Sequence, residues 1–98
     1  MIILWVDDLR QPPSKEYHWV KTVNEAKSAI KEGQYHFDYI DLDHDAGDYA
    51  YGGGDYIRLL DWLEEQGISF PIRLHTMNSV GRQNMRAIMQ KNGWREIF

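Results

Sequence analysis

The chain has 98 residues, 43% apolar, 13% aromatic and 27% charged, with 8 glycines, 3 prolines and no cysteine. A chain of this length and composition is expected to form one domain spanning residues 1–98 around one modest core, which excludes disordered, fibrous, disulfide-framed and thiolate-metal classes. The net charge of −4 argues against a duplex-DNA partner, which would want clustered Lys and Arg, and no apolar run reaches the roughly 18 residues of a membrane span.

In chain order, residues 2–6 are wholly apolar, the pattern of a strand buried on both faces of a parallel sheet. They run directly into Asp7 and Asp8 with no basic leader, so a soluble, cytoplasmic protein is the expectation. Residues 9–14 read as a loop, because Pro12 and Pro13 remove donors and hold the preceding residue extended. Tyr17 to Lys21 is a second strand. Thr22 and Glu25 form a capping box that opens a helix with an apolar stripe of Ala26, Ala29 and Ile30 and a stop at Gly33.

A third strand spans residues 37–42 and stops in the acidic segment Asp43-His44-Asp45-Ala46-Gly47-Asp48. A loop through Gly52, Gly53 and Gly54 leads to a helix from about Asp55 to Gln66, with Tyr56, Leu59, Leu60 and Leu63 on one face and Gly67 as its end. No Gly-Lys-Ser/Thr follows the glycine run, so it is not a Walker loop. Phe70 to His75 is a fourth strand. Asn78 or Ser79 caps a third helix to about Asn92, Gly93 stops it, and Trp94 to Phe98 is a last short strand. Strands alternating with helices imply a parallel sheet with right-handed crossovers.

Sites in such sheets form at the carboxyl ends of the strands. Asp7-Asp8, Asp43-His44-Asp45 and His75-Thr76 with Asn78 all fall there. Carboxylates held close repel one another unless protonated, paired or neutralised by a cation. Asp7, Asp8 and Asp43, with Asp45, therefore read either as an oxygen-ligand site for Mg²⁺ or Mn²⁺ or as a solvated acidic loop. Asp41, inside the third strand, is costly unless paired or coordinated. His44 and His75 are the proton-transfer candidates, whereas His18 and His36 read as structural. Arg10, Arg82 and the amides near Gly81 are candidate phosphate ligands. Trp5, Trp19, Trp62 and Trp94 read as core or core-edge aromatics.

Asp7-Asp8 after the first strand, Asp43 after the third and Thr76 after the fourth resemble the receiver domain of response regulators. There the acidic pair binds Mg²⁺, the central aspartate accepts a phosphoryl group and the hydroxyl contacts it. Three features depart from that pattern: a Pro-Pro loop where the first receiver helix belongs, no helix after the fifth strand, and no lysine following that strand. A narrower set is similar to the cyclic-phosphate-processing receiver family. It comprises Asp7-Asp8-x-Arg10 with Pro12-Pro13, Leu42-Asp43-His44-Asp45-x-Gly47, Gly54-x-Tyr56, and Ile72-Arg73-Leu74-His75-Thr76-x-Asn78-x-x-Gly81-Arg82.

This resemblance implies a three-layer, receiver-like (flavodoxin-like) α/β fold with a five-stranded parallel sheet and the first and last receiver helices missing or reduced. It implies a metal-dependent phosphodiesterase acting on the cyclic phosphate of a nucleotide or RNA end. Asp43, His44 and His75 are its expected catalytic residues, Asp7, Asp8, Asp43 and Asp45 its metal ligands, and Arg10, Thr76, Asn78, Gly81 and Arg82 its phosphate contacts. The alternatives are a signalling receiver phosphorylated on Asp43 and a protein that binds a cyclic nucleotide without cleaving it.

Overall fold

The computed structural model describes residues 1–32 and 36–98. Five strands, β1 (Ile3–Val6), β2 (Tyr17–Val20), β3 (Tyr39–Leu42), β4 (Ile72–Leu74) and β5 (Glu96–Ile97), lie side by side in the order β2-β1-β3-β4-β5. All four pairings are parallel. The strands follow the sequence expectation, each trimmed at its ends. Three α-helices connect them: α1 (Val23–Lys31), α2 (Ile57–Gln66) and α3 (Ser79–Asn92).

Local chemistry sets the helix ends. The Thr22 hydroxyl accepts the Glu25 amide at 3.0 Å and forms its half of the predicted box. Asn78, not Ser79, caps α3, its Oδ1 accepting the Gly81 amide at 2.8 Å. Gly67 and Gly93 end α2 and α3 as expected, and the predicted stop at Gly33 lies outside the described residues. The segment Gly47–Gly52, read from sequence as an open loop, is a 3₁₀ helix. Helical turns are hard to read where Gly and Tyr leave no apolar period.

Strand alternation divides the sheet into two unlike faces. Val20, Val6, Leu42 and Leu74 form one row across four strands. With Leu4, Ile40 and Ile72 they pack against Ala26, Leu59, Leu60, Leu63, Met85 and Met89 of the three helices. The neighbouring row, Trp19, Trp5, Asp41, Arg73 and Ile97, faces the other way. There the third layer is reduced to the segment between β1 and β2, fastened by the Trp5 indole N–H donating to the Arg10 carbonyl at 2.7 Å. This proline-bearing segment replaces the first receiver helix and still lets β2 run parallel to β1. Trp5 is buried and Trp19, Trp62 and Trp94 are half-buried, as their reading as core and core-edge aromatics requires.

Candidate functional site

The sheet brings the ends of β1 and β3 together, because β1 pairs with β3 directly. Carboxylate oxygens of Asp7, Asp8 and Asp43 come within 4.8 Å of one another. Asp7 is buried and heavily engaged: one oxygen accepts the amides of Leu9 and Arg10 at 2.9 and 2.8 Å, the other meets His75 Nε2 at 2.8 Å. Burial pushes its carboxyl up, but those amides and the imidazole outweigh it and hold the group below its ordinary range. Asp8 goes the opposite way. Burial and the charges of Asp7 and Asp43 raise it.

The donor set suits a hard divalent cation. Asp7 retains a single lone pair after its three bonds, so Asp8 and Asp43 are the freer carboxylates. Gly47 leaves room for this arrangement: at φ +54, a Cβ on it would lie 2.6 Å from the Asp8 carboxylate.

His75 is braced on every side. Its Nδ1 lies 2.6 Å from Asp41 and its Nε2 2.8 Å from Asp7, and its ring stacks on Trp5 at 4.1 Å and 5°. Both ring nitrogens are thus engaged by carboxyl groups, and neither is free to exchange a proton with a ligand. His75, expected from sequence to be catalytic, is held between two carboxyl groups and a stacked indole. His75 supplies the partner that the burial of Asp41 demands, and Asp41 also accepts from the Arg73 guanidinium at 3.2 Å.

His44 stands differently. The Asp43 side chain accepts the His44 amide at 2.8 Å, and the His44 Nδ1 lies 2.7 Å from Asp45. A carboxylate on Nδ1 fixes the proton there and leaves Nε2 with its lone pair. Among the described residues Nε2 has no hydrogen-bond partner. The ring lies on Gly81, where a Cβ would come within 2.5 Å of it.

The other expected site residues fall into separate surroundings. Asp45 does not join the Asp7–Asp8–Asp43 trio; its carboxylate groups with His44 and Asp55, the latter missed in the sequence because it opens a helical stretch rather than ending a strand. Gly81 offers no amide to an anion, since that N–H is bonded to Asn78; it supplies clearance for His44. The Asn78 amide nitrogen reaches His44 and Asp45 at 3.4 Å. Thr76 is buried, its hydroxyl accepting the Asn78 amide at 3.1 Å. Arg10 and Arg82 donate to the consecutive carbonyls of His75 and Thr76 at the end of β4.

Residues 2–91 match the profile of the cyclic-phosphate processing Receiver domain. No curated protein matches the chain.

Proposed function

The chain belongs to the family of cyclic-phosphate processing receiver domains, and from that membership we propose that it hydrolyses a cyclic phosphodiester of a nucleotide or an RNA end. The observation that carries this reading is the convergence of three carboxylates within 4.8 Å beside a histidine whose second nitrogen is unengaged. Asp8 and Asp43, with the remaining lone pair of Asp7, would hold Mg²⁺ or Mn²⁺. A divalent cation there supplies charge neutralisation to the phosphoryl oxygens and favours ionisation of a bound water.

The protein's own groups account for the rest. A water oxygen forms a bond to phosphorus as one ring P–O bond breaks, giving a phosphate monoester and a free hydroxyl. The proton lost by water passes to His44 Nε2 and is returned to the leaving oxygen. Asp45 orients the ring and stabilises its charged form. His75 and Asp41 hold Asp7 in place. Asn78 fixes Asp45 and the start of α3, and Arg10 and Arg82 bring positive charge to the end of β4. Positioning and charge stabilisation are most of what phosphoryl chemistry asks of a protein.

The test is hydrolysis of a panel of 2′,3′- and 3′,5′-cyclic nucleotides with Mg²⁺ or Mn²⁺. Turnover that drops about 100-fold or more in His44→Ala supports the reading. Tight binding without product would overturn it in favour of sequestration. A labile phosphate on Asp43 after incubation with a small phosphodonor, with every cyclic ester left intact, would overturn it in favour of signalling.

A further inference from the structure

A cavity of about 440 Å³ opens on the other side of the β4 end. Four guanidinium groups line it, those of Arg10, Arg73, Arg82 and Arg86, with Thr76 and Glu96 among its other walls. Two of the four are neutralised: Arg73 by Asp41 at 3.2 Å, and Arg86 by a two-pronged bond to Glu96 at 2.7 and 2.6 Å. Among the described residues the other two have no carboxylate partner. Arg10 and Arg82 reach only main-chain oxygens, those of His75 and Thr76. Arg82 Nε is buried with no hydrogen-bond partner. A chain with a net charge of −4 thus keeps a local surplus of positive charge in one concave place.

The planar fork of a guanidinium group matches the oxygens of a phosphate. The cavity also adjoins the acidic trio. His75 lines it while its Nε2 bonds Asp7, and Arg10 enters it while its amide bonds the same Asp7 carboxylate. One strand end therefore separates a site that repels phosphate without a cation from one that attracts it. We infer that the arginine cavity binds a second phosphate of the same substrate molecule, so that the preferred substrate is a cyclic phosphate ester carrying a further phosphate rather than a simple nucleoside cyclic phosphate. This rests on the phosphodiesterase reading for the identity of the ester. The second phosphate comes either from the 5′ position of a mononucleotide or from the next internucleotide link of an RNA end.

Three probes separate these sources: adenosine 2′,3′-cyclic phosphate, the same compound with a 5′-phosphate, and an adenosine dinucleotide ending in a 2′,3′-cyclic phosphate without a 5′-phosphate. Binding is measured by calorimetry without divalent cation, and hydrolysis with Mg²⁺. At least one of the two probes with a second phosphate is expected to bind about tenfold or more tightly than the simple one, and which one does so identifies the source. Arg10→Gln, on an exposed side chain, and Arg82→Gln are expected to bring that ratio toward one. Equal binding of all three probes, or a preference that persists in both variants, overturns the inference, and hydrolysis of any of them then leaves the phosphodiesterase reading standing. A preference abolished by the variants with no hydrolysis of any probe upholds the phosphate cavity and overturns the phosphodiesterase reading.

Discussion

The Nδ1 of His75 lies 2.6 Å from Asp41 Oδ1, so a residue at the end of β4 is braced by one in the middle of β3. The brace continues to Asp7 through the other ring nitrogen. It ties the orientation of an acidic-site carboxylate to a charge buried on the far face of the sheet.

Asp41→Asn is therefore expected to act at a distance. It removes the buried carboxylate that pairs with Arg73 and braces His75 Nδ1, and should lower stability by roughly 3 kcal/mol. Loosening Asp7 should also weaken Mn²⁺ binding by about tenfold or more. Urea unfolding and calorimetric metal titration at a temperature where the variant is folded check the two effects separately.

Gly81→Ala places a methyl where the His44 ring lies. Alanine is the better helix former by up to about 1 kcal/mol, so the fold should survive while the ring is displaced. The expected result is a circular dichroism spectrum like that of the parent chain and cyclic-ester turnover reduced at least tenfold. Unchanged turnover would place His44 outside the reaction.

Asp8→Asn should stabilise the metal-free protein. The raised carboxyl of Asp8 means that its charged form is disfavoured in the fold, and stability is lost as pH rises through that value. At neutral pH the amide removes this cost and should raise Tm. The same variant should lose most of the Tm gain that Mg²⁺ gives the parent chain. Thermal scans with and without the cation measure both.

Two tyrosines should resist alkaline ionisation. Burial, the Tyr17 hydroxyl and the Asp41 charge push Tyr39 up to about 12. Burial and the charges of Asp8, Asp7 and Asp43 raise Tyr56 too, whose hydroxyl donates to the Lys21 carbonyl at 2.7 Å. Both groups hold their protons longer folded than unfolded, so stability should be unaffected by them below about pH 10 and fall above it. Ultraviolet difference titration should find a late-ionising fraction that disappears in urea.

The parallel sheet was legible because strand and helix patterns alternate along the chain, and its site-bearing ends because β1, β3 and β4 stop at Asp7, Asp43 and His75. The acidic trio followed from that alone. The roles of His75 and Asp41 did not, since their pairing depends on the register between β3 and β4, which places Asp41 opposite Arg73 and sets His75 just beyond. Gly81 looked like a source of anion-binding amides, yet what matters there is the missing side chain. The arginine cavity also escaped linear reading: Arg10, Arg73, Arg82 and Arg86 are scattered over the loop after β1, a strand and a helix.

Asp7, Asp43 and His75 arrive from β1, β3 and β4, the three inner strands, and none of these groups can reach its place unless all three are zipped together. Ligand occupancy is thereby linked to the cooperative unit of the molecule rather than to the opening of a single loop. Bound cation should slow hydrogen exchange across the central amides as a block, and should shield the chain from proteolysis in proportion to occupancy.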